Sequence, residues 1–286
     1  MKIKISADST CDLSQELIDK YSIPIMPLHV SLGDKDFIDG VTIKPQDIYD
    51  FYATTKKLPK TGARSAEEYT EFFQGILNEG YDAIVHFTIS ADMSASYANA
   101  ELAARDLKGV YVIDSRQLST GIGLLVLDAC DMVEAGMSAS DIAERARSRT
   151  DATKSSFIVD TLEFLYKGGR CSSLAYLGAN LLQIKPCLEV KNGLIGVENK
   201  PMGRYRRCVA KYCESILNSM TNPDKKRCFV THTKMDGGIA EEVIATVKSW
   251  GIFDEILETT AGCTVTTHCG ANTIGILYIN DNGLKA

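Results

Sequence analysis

The stretch Ala83-Ile84-Val85-His86-Phe87-Thr88-Ile89, with Ser90-Ala91-Asp92-Met93-Ser94 behind it, decides the fold. So short an apolar run, closed off by small polar residues, reads as a strand buried on both faces, the kind found in parallel sheets covered by helices. Ser94 opens the next helix, Val110 to Ile113 returns as a strand, and a further helix starts near Leu118. Strand alternating with helix is the pattern of an α/β layer.

Working outward, residues 2 to 7 alternate like a strand, Ser14 to Tyr21 has helical spacing, and residues 24 to 31 read as one strand. Ser65-Ala66-Glu67-Glu68 is a capping box opening a helix that runs to about Asn78. Beyond a helix over roughly residues 138 to 149 the character changes. Phe157 to Val159, Cys187 to Val190 and Leu194 to Val197 are short strands, the last two joined at Lys191-Asn192-Gly193, which suits a tight hairpin. Strands follow near Cys228 to His232 and Thr273 to Ile279, with helices between. The expectation is an α/β protein of two domains: residues 1–153 with a mostly parallel sheet, and residues 154–286 with a mixed sheet and helices packed on it. No internal repeat or low-complexity segment is present.

The chain has 286 residues, comfortable for two cores, with 45% hydrophobic and 24% charged residues. Thirty-one basic against 37 acidic residues leave a net charge of -6, which argues against nucleic acid held on a broad basic surface. Met1 to Ser6 lacks the apolar run of a signal peptide and no stretch is long enough for a membrane span, so a cytoplasmic chain is expected. Nine cysteines without a Cys-x-x-Cys pair read as free thiols and small core residues.

Phosphate loop, nucleophile elbow and His-Glu-x-x-His motifs are missing. Gly121-Ile122-Gly123 follows a strand but lacks the third glycine of a dinucleotide site, and its plain reading is a helix start packed close against the sheet. Cys263, His268 and Cys269 match no common zinc spacing, and no fourth ligand is evident, so neither metal nor cofactor is expected. Two hydroxyls stand where a parallel sheet builds its site: Thr61, ahead of the helix capped at Ser65, and Ser94, after the strand ending near Ile89. Each has an ordinary explanation as a cap or turn residue. Beside helix amino termini, such hydroxyls also make a seat for a carboxylate.

Asp8-Ser9-Thr10, Thr61-Gly62-Ala63-Arg64-Ser65, Ser90 to Tyr97, Ile113-Asp114-Ser115, Lys167-Gly168-Gly169-Arg170 and His268-Cys269-Gly270 occur in the order of the DegV family, which the chain resembles along its whole length. The resemblance implies a fatty acid in a tunnel between the two domains, and a subunit that offers the acyl carboxylate to a separate ATP-binding fatty acid kinase subunit. The product would be an acyl phosphate for phospholipid synthesis. It further implies that Thr61 and Ser94 bind the carboxylate, with His268 and Arg170 nearby. This chain departs from the family at Gly62 and Arg64 (usually Ser and Pro), at Ala95-Ser96 (Gly-Thr) and at Ala271-Asn272 (Pro-Gly). Other readings stay open: a hydrolase using Ser94 with His268, or a lipid-binding sensor.

Gly123 to Leu127, Leu162 to Leu165 and Leu174 to Ile184 are candidate tunnel walls as well as ordinary core. Lys200, Arg204, Arg207 and Lys211 share one face if their helix starts early, with Val209, Cys213, Ile216 and Met220 on another. That basic face is either plain solvated surface or a docking patch for an acidic kinase subunit or, transiently, for an anionic membrane surface.

Overall fold

The computed structural model of the chain describes residues 1–171 and 184–283. β1 (Ile3–Asp8), β2 (Ile25–Met26), β6 (Ala83–Thr88) and β7 (Val110–Asp114) form a sheet in the order β2-β1-β6-β7, every pairing parallel. All six residues of β6 are buried because helices cover both of its faces. Ala83, Val85 and Phe87 pack with α5 (Thr120–Glu134) and α6 (Ala139–Arg149), whereas Ile84 packs with α3 (Ala66–Asn78) and α4 (Ser96–Ala104). His86, the polar break in the run, is satisfied on the α3 side. One ring nitrogen pairs with the Ser6 hydroxyl at 2.9 Å, the other lies 3.3 Å from Asp8, and Tyr69 also donates to Asp8.

The second sheet holds β8 (Thr153–Val159), β9 (Cys187–Lys191), β10 (Leu194–Asn199), β11 (Arg227–His232), β12 (Glu255–Thr260) and β13 (Thr273–Ile279) in the order β10-β9-β8-β13-β11-β12. It is antiparallel except between β11 and β12. Asn192 and Gly193, both left-handed, close the β9–β10 hairpin. One face carries α8 (Tyr205–Ser219) and α9 (Ile239–Ser249); the other, through Phe229, Leu277 and Ile279, shares a core with α5.

Eleven of the fifteen residues of α5 are therefore buried between the sheets. The glycines at its start permit the approach. A methyl on Gly121 would stand 2.1 Å from Ser155 Oγ, and one on Gly123 would stand 2.8 Å from a Leu13 methyl. Close packing, the plain reading of Gly121-Ile122-Gly123, is what the structure shows.

Residues 24 to 31 are not one strand. Pro27, with no N–H for a ladder, separates β2 from β3 (His29–Leu32), which pairs instead with β4 (Lys35–Ile38) and β5 (Lys60–Gly62) in a small antiparallel sheet. α2 (Pro45–Thr55) lies between these last two strands. A short 3-10 helix (Ser9–Cys11), α1 (Gln15–Tyr21), α7 (Glu163–Gly168) and α10 (Cys263–Cys269) complete the described elements. Among the described residues, no helix is long and apolar enough to cross a membrane.

Candidate functional site

β5 is an edge strand whose register sets Thr61 opposite Val30. Thr61 therefore sits in a strand and not in a loop leading to the capped helix. Its hydroxyl pairs with His268 Nε2 on α10 at 2.8 Å, joining positions 207 residues apart. Burial, followed by the charge of Arg170, pushes the His268 imidazole down to about 4, so the ring is neutral at pH 7. A neutral imidazole with its proton on Nε2 donates to Thr61 and frees the Thr61 hydroxyl to donate onward.

Ser94 lies in the turn after β6, two residues before α4, whose N-cap is Ala95. The turn is held by the Met93 and Ser94 amides donating to the Ser90 carbonyl. Ser94 Oγ accepts the Ser96 amide and pairs with Ser96 Oγ at 3.0 Å. His268 makes no bond to Ser94; its Nε2 is taken by Thr61 and its Nδ1 has no partner. The nucleophile–base pair that a Ser94–His268 hydrolase requires is not formed.

The Gly168-Gly169-Arg170 turn has a reason for each glycine. A methyl on Gly168 would lie 2.6 Å from His268 Nδ1, so the ring and the chain meet there without room for a side chain. Gly169 caps α7 in the left-handed conformation. Arg170 follows, exposed, its guanidinium donating to the Gly168 carbonyl at 2.8 Å.

Thr61, Ser94, Arg170 and His268 all line one cavity of about 240 Å³. Leu28, Ile89, Met93, Leu118, Leu165, Ile195, Val265 and Cys269 supply its apolar wall, drawn from around both large sheets. Of the expected wall segments, Leu165 faces the cavity, Gly123 to Leu127 belong to the core around α5, and residues 174 to 183 lie outside the described residues. A further residue had no motif to announce it. Thr264 is buried, lines the cavity one helical turn before His268, and its hydroxyl has no partner. The i, i+4 spacing to His268 is the signal that could have found it.

Cys263 donates its thiol to the Ile43 carbonyl and its amide to Asp39, while burial pushes the Cys269 thiol up to about 12. Among the described residues no group of three or more His, Cys, Asp or Glu side chains is placed to hold a metal. All nine cysteines are buried and none is bridged in a disulfide.

The basic stripe does not form as its spacing implied. Pro201 and Gly203, the latter at φ 122°, precede α8, which starts only at Tyr205. Lys200 is thus off the helix and Arg204 is its extended N-cap; Arg207 and Lys211 share the first turns, and all four side chains are exposed. Val209 and Cys213 face the core, with Ile216 and Met220 packed against it.

The family profile described as "Uncharacterised protein, DegV family" matches residues 2–281. The chain belongs to the DegV family. A fatty acid-binding protein of Thermotoga maritima is 30% identical over 281 residues, covering 96% of each chain. A solved DegV family structure from Thermus thermophilus, described as fatty acid binding, superposes with a TM-score of 0.90 at 27% identity, covering 98% of this chain and 100% of that one. A stearic acid-binding protein of Eubacterium ventriosum superposes with a TM-score of 0.82 at 28% identity, covering 97% and 98%. This DegV chain shares their two-domain fold.

Its departures from the family pattern are locally accommodated. Arg64 is buried, donating to the Pro27 carbonyl and to Glu68 of the α3 capping box. Asn272 takes φ 55°, a left-handed conformation that Asn tolerates better than most residues, and its carbonyl accepts from Asp160 and Tyr205. Gly62 and Ala95 line the cavity itself.

Proposed function

We propose that this DegV protein binds a long-chain fatty acid in the cavity and acts as a non-catalytic subunit in the cytoplasm, presenting the carboxylate to a separate ATP-binding kinase subunit for conversion to acyl phosphate. The observation that carries the reading is a largely apolar cavity with Thr61, Ser94, Thr264 and the neutral His268 among its lining. Each buried methylene contributes about 0.8 kcal/mol, so roughly 14 of them give on the order of 11 kcal/mol before ordering costs. The tail supplies the affinity.

The head group then needs orientation more than grip. Hydroxyl donors orient a carboxylate and leave an oxygen lone pair free to attack the terminal phosphorus of ATP, whose bond to the bridging oxygen breaks as ADP leaves. An unpartnered buried Thr264 hydroxyl is costly without a ligand, and a carboxylate would satisfy it. The binding described for the Thermotoga and Thermus relatives supports the ligand class.

The test is native mass spectrometry of the purified protein, repeated after denaturing extraction, with acyl phosphate formation assayed in the presence and absence of a fatty acid kinase subunit. Stoichiometric fatty acid, phosphorylated only when the partner is added, is expected. An empty protein that takes up neither palmitate nor oleate overturns the ligand; ester or acyl phosphate turnover by the chain alone overturns the non-catalytic role. Thr61→Val combined with Ser94→Ala is expected to weaken uptake at least tenfold, since a hydrogen bond to a charged group contributes about 1.5–3 kcal/mol.

A further inference from the structure

The first turn of α10 is held by two buried carboxylates that arrive from near the other end of the chain. Gly262, the N-cap, donates its amide to Asp12 Oδ1 at 2.8 Å across 250 residues. The Cys263 amide donates to Asp39 Oδ1 at 2.9 Å and the Thr264 amide to Asp39 Oδ2 at 3.2 Å. The leading amides of a helix have no partner within it, and the partial positive charge there favours carboxylates. Gly262 has no side chain with which to cap its own helix, so the two aspartates supply the acceptors.

Each carboxylate is itself fixed. Ser119 donates to Asp12 Oδ2 at 2.6 Å, and Ser9 donates to Asp39 Oδ2 at 2.9 Å. Asp12 takes φ 49°, a left-handed conformation uncommon outside glycine, and bonds at both of its carboxylate oxygens hold it there. A methyl on Gly262 would stand 3.1 Å from Asp12 Oδ1, so carboxylate and backbone are closely packed. Both aspartates are buried, and neither lines the cavity.

What they anchor is the polar end of the cavity. Thr264, whose amide Asp39 holds, carries the unpartnered hydroxyl, and His268 stands one turn further on against Thr61. α10 has seven residues, so a shift of its first turn moves both side chains. We propose that Asp12 and Asp39 are positioning residues for the head group: they set the height and rotation of α10, and so where Thr264 and His268 meet the carboxylate. The proposal rests on the fatty acid reading above.

The test separates head group from tail by displacement titration with palmitate and with 1-hexadecanol, which has the same chain length and no carboxylate. Asp39→Asn keeps the shape, but whichever way its amide turns, an NH2 faces the Cys263 or the Thr264 N–H. Asp12→Ala removes the acceptor for Gly262. Asp12→Asn restores it, since its oxygen accepts from Gly262 while its NH2 donates to the Ser119 hydroxyl. The first two variants are expected to weaken palmitate binding about tenfold or more, as for the loss of one hydrogen bond to a charged group. Hexadecanol should stay within about twofold of the parent because the tail contacts are unaltered. Asp12→Asn should stay close to the parent for both ligands. Equal losses for the two ligands, or unchanged palmitate binding in folded Asp39→Asn or Asp12→Ala, overturn the proposal while leaving the fatty acid reading intact. Failure of both of those variants to fold makes the carboxylates structural alone and overturns it likewise. A parent protein that binds neither palmitate nor oleate overturns the fatty acid reading, and this proposal with it.

Discussion

At His268 one ring nitrogen meets Thr61 and the other has no hydrogen-bond partner, with Gly168 close beside it. The folded imidazole titrates near 4 against an ordinary 6.5, so the fold favours the neutral ring. Between those values the unfolded chain binds a proton that the folded chain does not, so this group's contribution is present above pH 6.5 and is lost as pH falls toward 4. The whole window amounts to roughly 3 kcal/mol. His268→Asn is expected to remove that share, narrowing the gap between urea midpoints at pH 4.5 and 7.5; an unchanged gap would assign the titration to another group. The hydroxyl–imidazole contact was only partly legible in the sequence. Thr61 and Ser94 stand out by their place ahead of helix starts, whereas a role for Arg170 and His268 at the site is implied only by the family resemblance, and residues 207 positions apart have no local signal of meeting. Thr264 escaped because one threonine in Thr264-Val265-Thr266-Thr267 looks like the next until the helix fixes which one faces the cavity.

At the scale of elements, α7 ends where α10 passes, and the contact is made through a missing side chain. Gly168 is helical, so alanine suits its backbone and would gain as much as about 1 kcal/mol in helix propensity. The added methyl would nevertheless stand 2.6 Å from His268 Nδ1 and push the ring off Thr61. Gly168→Ala is therefore expected to weaken fatty acid binding tenfold or more in a displacement titration while thermal stability changes little. Unchanged affinity would show that the ring has freedom to retreat. Elements with strong periodicity, such as β6, α3 and the β9–β10 hairpin, were legible because local pattern and tertiary role agree. The small sheet was not: β4 and β5 run four and three residues, too short for periodicity to declare, and β5 exists because β3 offers it an edge. The basic stripe failed for a local reason, since spacing alone ignores the Pro201 and Gly203 that delay α8.

Across the whole molecule, a cavity between two sheets keeps its shape only if the layers stay in register. α5 provides the apolar contact, and Arg149 at the end of α6 provides a polar clamp. Its side chain is 3% exposed and reaches Asp128 of α5 at 2.7 Å, Asp224 before β11 at 2.6 Å and Asp281 after β13 at 2.8 Å. It thus ties the parallel-sheet half to one end of the second sheet, where the start of β11 lies beside the end of its antiparallel neighbour β13. Three carboxylates around one guanidinium make the arrangement asymmetric: removing the cation leaves three negative charges facing one another, poorly hydrated. Removing one partner of a buried pair costs about 3–5 kcal/mol. Arg149→Met keeps the volume and is expected to lose that much at pH 7, read as a lower denaturant midpoint. The loss should shrink on acidification. Without Arg149 the clustered carboxyls are raised in the fold relative to the unfolded chain, so the folded form takes up protons that the unfolded form does not, and stability recovers as pH falls through the ordinary carboxylate range. A deficit that stays constant from pH 7 to pH 4.5 would mean that Arg149 contributes packing alone.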